Sequence, residues 1–152
     1  MKISYSVINI SNTHEVNLLS VRYLKHLNAL VRNVSPDSRE VTEESMRRFL
    51  LHSGFLVCAL TPKGKMVGML TLLLCYKVNS CSGRLEHVSV LPEFGGRGIA
   101  RTLMAHAISK AKDLKLKHID LTCEPRRERA NALYESCGFK IGTTNVRRLC
   151  LD

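Results

Sequence analysis

At 152 residues and 45% hydrophobic content, the chain has the size and apolar share of one globular domain, long enough to bury roughly two-thirds of its unfolded surface. Its longest apolar run, residues 66–76, falls well short of the roughly 20 residues that a membrane-spanning helix needs. The formal charge of +10 (23 basic against 13 acidic residues) is spread over both halves of the chain and suits attraction of a polyanion, while the lack of aromatic residues among the basic ones speaks against nucleic acid.

The first residues alternate like a strand over 2–10 and lack the continuous apolar core of a signal peptide, so a cytoplasmic setting is expected. Asn12, Thr13, His14 and Glu15 resemble a capping box and open a helix with Val16, Leu19, Tyr23, Leu27 and Leu30 on one stripe. A polar loop over 33–40 contains Pro36, and Thr42, followed by Glu43 and Glu44, caps a short helix through Leu51. Strands over 55–60 and 65–78 meet at a turn over 61–64, and a third strand over 84–91 follows a turn at 79–83. Ile99, Leu103, Met104, Ala107, Ile108 and Ala111 recur at helical spacing. A strand over 118–123 comes next, then a helix over 126–137, with Gly138 where a left-handed cap belongs. Two last strands, 139–142 and 145–151, complete a single α/β domain, 1–152. Six cysteines without a Cys-x-x-Cys pair read as reduced thiols, and no metal site is expected.

The stretch 88–101, VSVLPEFGGRGIAR, is a strand, a proline turn and a glycine cluster opening the third helix. Such a junction gathers free backbone N–H groups and the positive end of a helix dipole, a setting for phosphate. Gly95, Gly96 and Gly98 let a ligand approach the main chain closely. No Gly-Lys-Ser/Thr follows, as a Walker loop requires, and Arg101 stands where a dinucleotide fingerprint needs Gly or Ala. On these residues alone, an anion cradle and a plain tight turn are both open.

The Val88-x-Val90-x-Pro92 strand end, the Gly96-x-Gly98-x-Ala100 helix start and the later Leu133-Tyr134-x-x-x-Gly138-Phe139, in this order, resemble the GNAT superfamily of acetyl-CoA-dependent N-acyltransferases. Of its Gln/Arg-x-x-Gly-x-Gly/Ala pattern, Gly98 and Ala100 match the last two positions, and Gly95 replaces the initial Gln or Arg. The resemblance covers essentially the whole chain. It implies a mixed, mostly antiparallel sheet of about six to seven strands flanked by about four helices, with a splayed parallel strand pair at the cofactor site. It also implies acetyl-CoA as acetyl donor, its pantetheine arm on the main chain of Val88, Ser89 and Val90. The pyrophosphate is then expected on the N–H groups of Gly95, Gly96, Arg97, Gly98, Ile99, Ala100 and Arg101, and Asn131 is a further candidate cofactor contact.

An alkylamine is mostly ammonium at neutral pH, so acetyl transfer to it requires a proton acceptor. Glu86 is the expected catalytic base, because 85–90, LEHVSV, resembles the Ile-Glu-x-Val-x-Val of some superfamily members. On a regular strand Glu86 shares a face with Val88 and Val90, and His87, the alternative base, points the other way. Tyr134 matches the tyrosine that relatives place near the leaving sulfur. Reference pKa values of about 10 for tyrosine and about 8.5 for a thiol make full proton transfer uphill by roughly 2 kcal/mol, so a hydrogen bond to the developing thiolate is the expected role. The expected reaction is direct attack in a ternary complex. The acceptor is expected to be an amine that also bears a carboxylate, or a peptide N-terminus, since the overall charge disfavours a polycation. A homodimer is compatible with this reading. A non-catalytic acyl-CoA sensor and, below it, a basic RNA-associated module are the alternatives.

Overall fold

The computed structural model describes residues 2–8, 13–144 and 146–151, with the side chains of 13–21 outside that description. The chain divides into two units, residues 1–122 and 123–152.

The first unit is a five-stranded sheet in sequential order, made of β1 (Ser4–Ile8), β2 (Gly54–Leu60), β3 (Met66–Lys77), β4 (Ser80–Val90) and β5 (Ile119–Asp120). The first four strands pair antiparallel and β5 joins β4 in parallel. Helices α1 (Thr13–Val34) and α2 (Glu43–His52) cover one face, and α3 (Ile99–Asp113) covers the other. On the α1–α2 face, Leu27, Leu30, Met46, Leu50, Leu56 and Met69 join one buried cluster. On the opposite face α3 approaches β3 at Gly68, where a Cβ would stand 3.1 Å from Ile99, 3.2 Å from Leu103 and 3.3 Å from Val90. Only glycine admits that approach without displacing its neighbours.

The predicted helix from Asn12 is present as α1, although Asn12 and the cap side chains lie outside the described residues. Of its stripe, Tyr23, Leu27 and Leu30 are buried. Thr42 caps α2 as expected: its hydroxyl accepts from Ser45 N–H at 3.1 Å, and Ser45 Oγ accepts from Thr42 N–H at 2.9 Å. The predicted turn at 79–83 contracts to two residues, because β4 pairs with β3 from Lys77↔Ser80 onward.

The sheet has five strands, not six to seven. Described residues at 139–144 and 146–151 form no strand, and Ile141, Leu149 and Leu151 are exposed. Alternation in the sequence assigns side chains to two faces but supplies no partner for the backbone, and a strand exists only where its N–H and C=O groups are paired. The second unit contains α4 (Glu128–Ser136), which ends at Gly138 with φ of +92°. Among the described residues, no helix is long and apolar enough to cross a membrane, and no group of three or more metal-ligating side chains converges.

Candidate active site

A break in the β3–β4 ladder shapes the site. Met69 pairs with Ser89 but Thr71 pairs with Glu86, so His87 and Val88 together oppose Leu70. This is a β-bulge, and His87 holds φ at +54°, a conformation uncommon outside glycine. The extra residue reverses the alternation beyond it. Glu86 and Ser89 face α1 and α2, while Val90 faces α3 beside Gly68. The expected shared face of Glu86, Val88 and Val90 is therefore overturned, and so is the separation of Glu86 from His87. Both line one cavity.

That cavity, about 450 Å³, lies between the two helices and the sheet. Leu27 and Val31 of α1 with Met46, Phe49 and Leu50 of α2 form one wall. Leu56, Met69 and Leu73 form the sheet wall, with Thr71, Glu86 and His87 as its polar groups. Asn28 fixes the α1–α2 connection: its amide donates to Val41 O at 3.0 Å and accepts from Val41 N–H at 2.8 Å. At the end of α1, Asn33 Nδ2 donates to Ser89 Oγ and to Val90 O, each at 3.1 Å. Asn28 and Asn33 escape sequence reading because Val41, Ser89 and Val90, the partners that tie them to other elements, lie 13, 56 and 57 positions away.

Glu86 is ion-paired within its own strand: Arg84 Nε donates to Glu86 Oε1 at 2.6 Å, and Arg84 also reaches Thr122 Oγ1 at 3.3 Å. The bond to the carboxylate pushes the Arg84 guanidinium still further from deprotonation. Thr71 Oγ1 donates to Glu86 O at 3.2 Å and lies 3.3 Å from His87 Nδ1. A hydroxyl has one proton. With that proton on the Glu86 carbonyl, the Thr71 oxygen is left to accept from His87 Nδ1–H.

Beyond Ser89 the strand leads into the glycine loop through a 3₁₀ turn, Pro92–Phe94. Gly95 is extended, with its N–H donated to Pro92 O at 3.0 Å. Gly96 and Gly98 hold φ at +71° and +73°, and a Cβ on either would meet nothing within 4 Å. The first helical-turn bond runs from Thr102 N–H to Gly98 O at 3.1 Å, which leaves the N–H groups of Ile99, Ala100 and Arg101 ahead of any intrahelical acceptor. Open space beside these glycines, next to main-chain donors at a helix N-terminus, fits a phosphate group. Arg97 folds over the Phe94 ring, 5.4 Å from its centroid, with Lys65 at 5.5 Å from the same ring. Pairing between β4 and β5 covers only Gly83↔Ile119 and Arg84↔Asp120, so along Glu86 to Val90 the strand pairs with β3 alone.

In the second unit, Asn131 Nδ2 donates to Glu124 O at 3.0 Å and Arg127 O at 3.1 Å, holding the turn before α4. The Tyr134 ring meets Phe139 edge-on, with centroids 6.3 Å apart. All six cysteines are free, and burial pushes the Cys58 thiol up to about 11.

The chain belongs to the acetyltransferase (GNAT) family, whose model matches residues 23–139. It is 28% identical over 115 residues to a mycothiol acetyltransferase of Propionibacterium freudenreichii subsp. shermanii, a match covering 73% of this chain and 37% of that protein. Among solved structures, a protein of Agrobacterium tumefaciens str. C58 described as an acetyltransferase aligns with a TM-score of 0.75 at 25% identity, over 95% of this chain and 99% of that one. The fold is also that of AAC(6')-Iy in complex with a bisubstrate analogue, CoA-S-monomethyl-acetylneamine, with a TM-score of 0.72 at 18% identity over 99% and 100% of the two chains.

Proposed function

We propose that this protein transfers an acetyl group from acetyl-CoA to a primary amine by direct attack in a ternary complex, as a cytoplasmic N-acetyltransferase over residues 1–152. The observation that carries the reading is the bulged β4, which places Glu86 and His87 in the lining of one cavity and runs on into the glycine loop that opens α3. The resemblance to a fold seen with a CoA-containing bisubstrate analogue supports the same donor.

Acetyl-CoA, when bound, supplies the activated thioester. The N–H groups of Gly96, Arg97, Gly98, Ile99, Ala100 and Arg101 hold its pyrophosphate, with Gly95 shaping the turn, and the main chain of Val88, Ser89 and Val90 holds the pantetheine arm. Glu86 draws in the ammonium and accepts its proton, and the Tyr134 hydroxyl hydrogen-bonds the departing sulfur. Asn131 serves by holding the 124–127 turn, to which its amide is already committed.

A second reading of the base is favoured by the hydrogen-bond pattern. Arg84 Nε already donates to Glu86 Oε1 at 2.6 Å, whereas the Thr71 contact of His87 engages only the Nδ1 side of its ring. If His87 is the base, free imidazole restores turnover to His87→Ala, while Glu86→Gln keeps most of its activity. If Glu86 is the base, Glu86→Gln loses turnover and His87→Ala keeps most of it without added imidazole.

Calorimetric titration with acetyl-CoA, repeated on Gly98→Trp, tests the function itself. Micromolar binding that the substitution abolishes in folded protein is expected. No binding to the wild type overturns the acetyltransferase reading.

A further inference from the structure

We infer that the acceptor is a small primary amine carried on an apolar body, and neither a polyamine nor an aminoglycoside. This inference rests on the acetyltransferase reading above and names the acceptor chemistry of the same site.

The cavity has two chemical ends. Its body is lined by aliphatic and aromatic side chains such as Leu27, Met46, Phe49 and Leu56. Its polar end is the bulge, where Glu86, His87 and Thr71 stand together. Ser38, Arg39, Glu40 and Ser45 add further polar lining, but the walls are mainly apolar, and such a site orients a ligand by a few polar contacts and takes up the remainder by apolar burial.

Charge also counts against a polycation. The lining has two carboxylates, and each has a cation of its own: Glu86 has Arg84 at 2.6 Å, and Glu40 has Arg32 at 3.8 Å. Arg39 adds a further positive charge to the lining. A ligand with several ammonium or hydroxyl groups would leave them facing Leu27, Val31 and Met69 without partners, which costs more than their burial gains. The carboxylate-bearing acceptor expected from overall charge meets the same apolar wall.

The test uses the whole chain with acetyl-CoA, following release of free thiol. The acceptors are n-alkylamines from propyl to octyl, phenethylamine, spermidine and kanamycin. In the alkyl series kcat/KM is expected to rise by up to about fourfold per methylene until the cavity is filled. Phe49→Ala, which enlarges the cavity, shifts the optimum to longer amines, a gain that misfolding cannot produce. Calorimetric titration with acetyl-CoA runs alongside. If acetyl-CoA does not bind, the acetyltransferase reading itself falls. If it binds and spermidine or kanamycin is preferred, or no apolar amine turns over, or chain length has no effect, the acceptor inference alone is overturned.

Discussion

The glycine loop and the apolar cavity lie along one strand and, on the proposed function, recognise by opposite means. At the loop the working groups are backbone N–H groups, and glycines at φ of +71° and +73° present them. In the cavity the working groups are side chains, supplied by α1, α2 and three strands and positioned by Asn28 and Asn33. A backbone site tolerates side-chain change but not a change of dihedral angle. A side-chain site tolerates neither the loss of its polar end nor movement of its walls.

Substitutions at the polar end should have the largest effect. Whichever of Glu86→Gln and His87→Ala removes the base should lower kcat by about 10²- to 10⁴-fold, read in steady-state thiol release. At the loop, Gly98→Val should weaken acetyl-CoA binding and also cost about 1–2 kcal/mol of stability, because a β-branched residue resists φ of +73°. Arg97→Ala should change acetyl-CoA affinity by less than about threefold, since its guanidinium lies over Phe94. A large loss there would break the contrast between a backbone site and a side-chain site.

Smaller effects test the supports. Asn28→Leu leaves the Val41 N–H and C=O without their partner and should cost about 1–3 kcal/mol in denaturant unfolding, with acceptor KM rising more than acetyl-CoA affinity falls. Thr42→Ala removes the α2 cap and should cost about 1 kcal/mol. The smallest effect concerns His26, whose Nδ1 lies 3.5 Å from Met66 N. Partial burial, then Lys65 and Lys25, push its pKa below the ordinary value of 6.5. The unfolded chain therefore takes up that proton more readily, so this contribution to stability is full above about pH 6.5 and is lost as the pH falls through and below it. His26→Gln should remove that dependence from melting curves between pH 5 and pH 8, taken at about half-unit steps.

The same contrast explains what could be read from the sequence. The loop is consecutive, and its glycines and the amphipathic spacing of α3 announce themselves within twenty residues. The cavity is not consecutive. Ser89 reads as a cofactor contact on its strand, but its side chain is 3% exposed and bonded to Asn33, 56 positions earlier. The bulge carries no glycine and no proline; it exists only in the register between β3 and β4, which a single strand's alternation cannot reveal. The final segment fails for the opposite reason, since a strand-like pattern over 139–151 has no ladder among its described residues.

Along β4 the extra residue acts as a change of reading frame. Every side chain after His87 occupies the face that an uninterrupted count assigns to its neighbour. Deleting Val88 would remove one small apolar group and leave every glycine of the loop in place. It would also restore the ladder, exchange the faces of the strand on one side of the deletion, and part Glu86 from Ser89. The site thus depends on how many residues stand between Glu86 and Ser89 as much as on which ones they are.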